Sequence, residues 1–242
     1  MASVTQHYST HLAPIYVWMA GGVESACRTG AQDIAALVPG KGLAVDLGAG
    51  FGMHSIPLAR AGYEVIAVDQ SRLLLAALRE HGAGLPIRVV ESDLMEFRAA
   101  VRTQVELIVC MGDTLTHLED FGQVERLLHE IRASLLPGGR FVATFRDYTH
   151  PAAGEARFIP VRSDSDRILV CFLEAMRGLM IVHDLLHERR LDLESEGQRL
   201  QEAAACACRL AACAGEGRIG GKLRCRPAQH GSRHSCVVGR RA

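Results

Sequence analysis

The chain lacks most of the features that would place it in other functional classes. Aromatic residues are only 5% of its 242 residues, and its formal net charge is zero. No basic excess is present to track a nucleic-acid backbone or an anionic membrane surface. No apolar run reaches the ~20 residues of a membrane-spanning helix. Residues 1–6 show neither the basic segment nor the apolar stretch of a secretory signal, which points to a cytoplasmic protein. Eight cysteines are spread along a long chain, and without an export signal they read as free thiols. No Ser-His-Asp or Cys-His triad stands out. The length suits one α/β domain with a sizeable core, or two small domains.

What the chain does contain is a glycine-rich turn. Residues 43–45 are apolar and read as a buried strand, which runs into Asp46-Leu47-Gly48-Ala49-Gly50-Phe51-Gly52. A helical pattern follows from about His54, and Pro57 fits its first turn. Glycines let the chain turn sharply and let a ligand approach backbone N–H groups. A helix opening just after them adds free donors and a positive dipole end. A dinucleotide could lay its pyrophosphate there, although its usual spacing is G-x-G-x-x-G. Here the spacing is G-x-G-x-G, and Asp46 at the strand tip would repel pyrophosphate and attract a cation.

Four further apolar runs also lead into polar tips. Residues 63–68 lead to Asp69 and Gln70, about twenty residues past the glycine turn. A carboxylate there can accept from both hydroxyls of a ribose, or it can cap the Leu-rich helix that follows Ser71. Residues 87–91 lead to Asp93 and Leu94, an acid and an apolar side chain suited to an adenine's amine and ring. Residues 105–110 lead to Met111-Gly112-Asp113-Thr114-Leu115-Thr116-His117. A helix at about 120–136 then stops at Pro137-Gly138-Gly139, and a fifth strand at 140–145 leads to Arg146-Asp147-Tyr148. Alternating strands and helices of this kind predict a mostly parallel sheet in a three-layer α/β sandwich, with ligands at the carboxyl ends of the strands.

This series of motifs resembles the class I S-adenosylmethionine-dependent methyltransferases over about residues 40–150, and the tips of strands four and five are similar to those of glycine N-methyltransferase-like, small-molecule enzymes. The resemblance implies a Rossmann-like core that binds S-adenosyl-L-methionine through Asp46, Gly48, Gly50, Gly52, Asp69, Gln70, Asp93, Leu94 and Met111. It also implies that Arg146 holds an acceptor's carboxylate. The expected function is methyl transfer to a small-molecule acceptor by in-line displacement. An NAD-dependent oxidoreductase and an inactive cofactor-binding module are the alternatives.

The flanking segments divide the chain further. Residues 1–40 read as a helical cap: a helix within 7–19 carrying Tyr16, a Gly21-Gly22 hinge and a helix over 23–38. The first helix is either simple packing or a lid whose aromatic rings shield a reacting cation. Residues 41–150 form the core. Residues 151–196 hold short strand-like runs, with Ser163-Asp164-Ser165-Asp166 and Arg177-Gly178 as turns, which predicts an antiparallel meander. Residues 197–242 are rich in Cys, Ala and Arg, and their composition reads as a degenerate or frame-shifted tail in place of the closing strands. The cysteine spacings there match no common zinc pattern, so no metal is expected. Methyl transfer needs alignment and a dry site more than a triad. Asp113 and His117 are candidate proton acceptors, Tyr16 a candidate to orient the acceptor, and His54 is read as packing on the cofactor side. Strand four lacks the N/D-P-P-Y/F of DNA amino-methylating enzymes and the Pro-Cys of cytosine C5 chemistry, so nucleic-acid partners are not expected.

Overall fold

The computed structural model describes residues 4–35, 42–148, 150–176 and 179–189, together with the backbone of three later strands. Strands β1 (Gly42–Leu47), β2 (Tyr63–Asp69), β3 (Ile87–Glu91), β4 (Val105–Cys110) and β5 (Leu135–Arg146) form a parallel array in the order β5-β4-β1-β2-β3. Successive side chains of a strand face opposite ways, and both faces here are apolar. Val45, Leu47, Ile66 and Val68 face Phe97, Leu127 and Ile131 on one side. Ala44, Val65, Leu107 and Val109 face Ile34 and Leu58 on the other. Four longer helices cover the sheet: Val23–Ala35, Ser55–Arg60, Arg72–His81 and Phe121–Ser134. The start of helix Arg72–His81 is capped by the Ser71 hydroxyl, and the start of Phe121–Ser134 by the Asp120 carboxylate.

A second, antiparallel sheet is formed by β6 (Phe158–Ser163), β7 (Arg167–Met176), β8 (Leu179–Glu188) and β9 (Ala205–Cys208). The 163–166 turn forms as the sequence indicates, with Asp164 accepting from the N–H groups of Asp166 and Arg167 at 2.9 and 2.7 Å. The Arg177-Gly178 turn lies outside the described residues.

The structure corrects the sequence reading at three places. The tail does supply closing strands: β11 (Arg233–Gly239) runs antiparallel to β5, and β10 (Arg224–Pro227) lies outside it. Leu136-Pro137-Gly138-Gly139 bulges within β5 instead of preceding it. Val105 pairs with Leu135 and Leu107 already pairs with Arg140, with Gly138 absorbing the excursion at φ 79°. Of the helix read over 23–38, Val23–Ala35 forms as expected, and residues 36–38 lie outside the described residues. The single helix expected within 7–19 is a series of short turns: Val4–His7, a widened π turn at Tyr8–Leu12, a 3-10 turn at Ala13–Ile15, and Tyr16–Met19. Pro14 supplies the cause, since it lacks the N–H an α-helix would need there. Gly21 and Gly22 follow at φ 84° and 87°, the left-handed turn expected of the hinge.

Candidate active site

At the carboxyl edge of the parallel sheet the acids fall into a staircase. Asp46 pairs with Ala67, two residues before Asp69, and Asp69 pairs with Glu91, two residues before Asp93. Each acid therefore sits about 7 Å further out than the last, at roughly 3.3 Å per residue.

The glycine turn folds onto the second step of this staircase. The Asp69 carboxylate accepts from Gly50 N–H at 2.8 Å and from Ser71 N–H at 2.7 Å. Burial raises its pKa against the pull of the Ser71, Gly50 and Gln70 backbone groups. A carboxylate offers about four lone-pair sites, so acceptor capacity remains for ligand hydroxyls. The glycines have different surroundings. A Cβ at Gly48 would sit 2.5 Å from the Thr114 side chain, and one at Gly52 2.3 Å from Leu78 Cδ1. At Gly50 it would meet only Leu74, at 3.7 Å, and at Gly112 nothing within 4 Å. Gly48 and Gly52 are thus required by packing, while Gly50 and Gly112 border open space.

Asp46 turns inward and is not presented to that space. It is 1% exposed and accepts from the Ser55 hydroxyl at 2.6 Å. Burial pushes its carboxyl above the ordinary range, opposed by His54 and Ser55. This bond to Ser55 ties the strand tip to the first helix. His54 is buried beside it, 3.4 Å from Asp33. Gly52 and Met111 are buried as well, Leu94 is half-buried, and Gln70 and Asp93 are exposed. The Asp93 carboxylate accepts from Met95 N–H at 2.8 Å and caps the 3-10 turn Leu94–Ala99.

The loop after β4 forms the other wall. Asp113 adopts a left-handed conformation at φ 72°, and among the described residues it is the only non-glycine with positive φ. Its carboxylate accepts from the Arg146 backbone N–H at 2.7 Å and ion-pairs with Arg146 Nε at 3.3 Å. Arg146 Nη1 reaches the Tyr148 hydroxyl at 3.4 Å. Burial acts to lower the Arg146 pKa, but Asp113 and Tyr148 outweigh it and hold the guanidinium above its ordinary value. The arginine expected to meet an acceptor's carboxylate is thus partly committed within the chain. His117 Nε2 lies 3.0 Å from the Tyr8 hydroxyl. The Tyr8 ring lies 6.2 Å from Tyr16, and Tyr16 lies 6.0 Å from Phe51 of the glycine turn. The N-terminal turns therefore touch both the loop after β4 and the glycine turn. Tyr8 and Thr114 escape sequence reasoning, because their partners are remote along the chain.

Residues 44–139 match the family model described as "Methyltransferase domain". This stretch of the chain is similar to methyltransferase domains. Its relatives by sequence include a glycine/sarcosine N-methyltransferase of Halorhodospira halochloris, 30% identical over 43% of this chain and 40% of that protein. A cypemycin N-terminal methyltransferase of a Streptomyces species is 30% identical over 55% of each chain. The chain thus spans about half the length, or less, of these curated relatives. By structure it superposes on the CcbJ methyltransferase of Streptomyces caelestis with a TM-score of 0.75 at 20% identity, covering 98% of both chains. It also superposes on DesVI of Streptomyces venezuelae with a TM-score of 0.69 at 20% identity, covering 95% of this chain and 98% of that one. At such identities these two likenesses show that the methyltransferase fold extends beyond the matched domain, through the meander and the closing strands.

Proposed function

We propose that the protein transfers a methyl group from S-adenosyl-L-methionine to a small-molecule acceptor, and that an amine is the first acceptor class to test. The observation that carries this reading is the Asp69 carboxylate, braced by Gly50 and Ser71 N–H groups beside the open flank of Gly50. This edge fits a phosphate-free nucleoside: a braced acceptor for ribose hydroxyls, and an exposed Asp93 with half-buried Leu94 for an adenine. Of the other residues implied by the resemblance, Gly48 and Gly52 shape the turn, Asp46 anchors it, Met111 is buried at the tip of β4, and Gln70 is exposed next to Asp69. When bound, the cofactor supplies an electrophilic methyl on a sulfonium.

The chain's own part is alignment, water exclusion and proton handling. Tyr8, Tyr16 and Phe51 close the roof, and aromatic faces favour a cation beneath them. Asp113 and Arg146 brace each other, leaving donors of the guanidinium for an acceptor's oxygen atoms. His117, oriented by the Tyr8 hydroxyl, takes the proton if the acceptor arrives protonated. The amine class draws support from relatives named as N-methyltransferases acting on glycine, sarcosine and a peptide N-terminus.

Thermal protection tests the reading against an NAD-dependent alternative. S-adenosylhomocysteine should raise the melting temperature and NADH should not; a ligand at about 100 times its Kd stabilises by roughly 2.7 kcal/mol. Protection by NADH alone would overturn the proposal. Methyl transfer from labelled cofactor to a panel of small amines then identifies the acceptor.

A further inference from the structure

The N-terminal roof has little stability of its own. Among the described residues it is one helical run, Val4–Met19, whose pitch changes from α to π to 3-10 and back around Pro14, and a run of that length and irregularity is marginal in water without anchoring contacts. Its position therefore depends on side chains that tie it down. One such tie is buried and plays no part in the chemistry above. His7 is 0% exposed, and its Nε2 lies 2.8 Å from Asp184 Oδ2 on β8. The other oxygen of Asp184 accepts from the Cys171 thiol at 3.0 Å, on the paired position of β7. Burial and the Asp184 charge push that thiol's pKa up, so it stays protonated and donates. His7 Nδ1 is buried with no hydrogen-bond partner among the described residues. A proton on Nε2 satisfies the carboxylate and leaves only a lone pair unpaired.

The consequence follows from the next residue. Tyr8 directly continues the chain from His7, and its hydroxyl meets His117. His7 is thus held by the meander while Tyr8 faces the loop after β4. Such a buried pair adds little net stability, and its contribution is to fix one arrangement. We propose that Asp184 is a positioning residue that fixes His7, sets Tyr8 against His117 and thereby closes the acceptor side of the site. Its catalytic consequence rests on the methyltransferase reading, while its geometry does not.

Hydrogen exchange and NMR on the full chain test it, using Asp184→Ala and His7→Leu as disrupting variants and Asp184→Asn and His7→Gln as conservative ones. Exchange at residues 4–12 should rise about tenfold or more in the disrupting variants, with β7 and β8 still protected. The His117 imidazole NMR signals should shift in Asp184→Ala in the same direction as in Tyr8→Phe, although the Asp184 carboxylate is bonded to His7 and Cys171. Both signals should return toward wild type in the conservative variants. If Asp184→Ala does not fold, His7→Leu, which keeps the buried volume, decides the matter. Unchanged exchange, or unmoved His117 imidazole signals, in the folded disrupting variants would overturn the inference. If the wild-type protein takes up no S-adenosylhomocysteine, it is the methyltransferase reading that fails, and the exchange data still decide the latch.

Discussion

Removing the Asp69 carboxylate separates its two roles. Asp69→Ala deprives the Gly50 and Ser71 N–H groups of their acceptor. A buried donor left unpaired costs about 1–3 kcal/mol, less where water can replace the partner, and Asp69 is only half-buried. The variant also sheds the cost of burying a carboxylate that its surroundings push toward protonation. Folding stability should therefore fall by about 1–2 kcal/mol, a few degrees of melting temperature for a chain of this size. Binding should suffer more. Hydrogen bonds from two ligand hydroxyls to a charged acceptor contribute roughly 1.5–3 kcal/mol each. Their loss weakens binding about 10²-fold or more, at 1.4 kcal/mol per factor of ten. Isothermal titration of S-adenosylhomocysteine into wild type, Asp69→Ala and Asp69→Asn measures this directly, with Asn expected in between because it keeps one acceptor oxygen. An Asp69→Ala protein that stays folded and binds within about threefold of wild type would refute the ribose role.

Four further outcomes are expected. Gly52→Ala should destabilise folding by about 2–4 kcal/mol in urea denaturation, since the new methyl strikes buried Leu78 at a φ of 95°. Gly50→Ala, with a φ of 53° and an open flank, should cost only about 1 kcal/mol of stability but should weaken cofactor binding; the opposite ranking of the two variants would contradict the assigned roles. Asp46 has a raised carboxyl pKa, so the native state holds that proton more tightly than the unfolded chain and stability falls as pH rises from the ordinary to the raised value. Asp46→Asn keeps an acceptor for Ser55 and should remove this fall: urea midpoints of variant and wild type should converge in acid, with the variant higher at neutral pH, and a lower midpoint at neutral pH would count against the reasoning. Arg146→Ala should raise the acceptor's KM far more than the cofactor's, and an unchanged acceptor KM would show that the guanidinium serves only to brace Asp113.

The central strands are legible in the sequence because each apolar run ends in a polar tip at one edge, a pattern set locally. The Asp69–Gly50 bond, spanning 19 residues, falls within one strand-helix-strand unit and follows from spacing. The Tyr8–His117 and His7–Asp184 contacts span 109 and 177 residues, and nothing local marks them. Asp46 lies at the tip that the sequence indicates, but only the structure shows its carboxylate bonded to the Ser55 hydroxyl. Strands β10 and β11 are hidden because Cys, Ala, Arg and Gly give no apolar alternation, and their pairing depends on the waiting edge of β5. The break in the N-terminal helix has a local mark, Pro14, which outweighs the apolar spacing around it.

A crystal structure with S-adenosylhomocysteine tests the central claim most directly. The account predicts ribose hydroxyls on Asp69, the adenine beside Asp93 and Leu94, and the sulfur between Gly50 and Gly112 beneath the Tyr8–His117 roof. Adenosine density away from the carboxyl edge of β1 and β2, or none at saturating ligand, would contradict it.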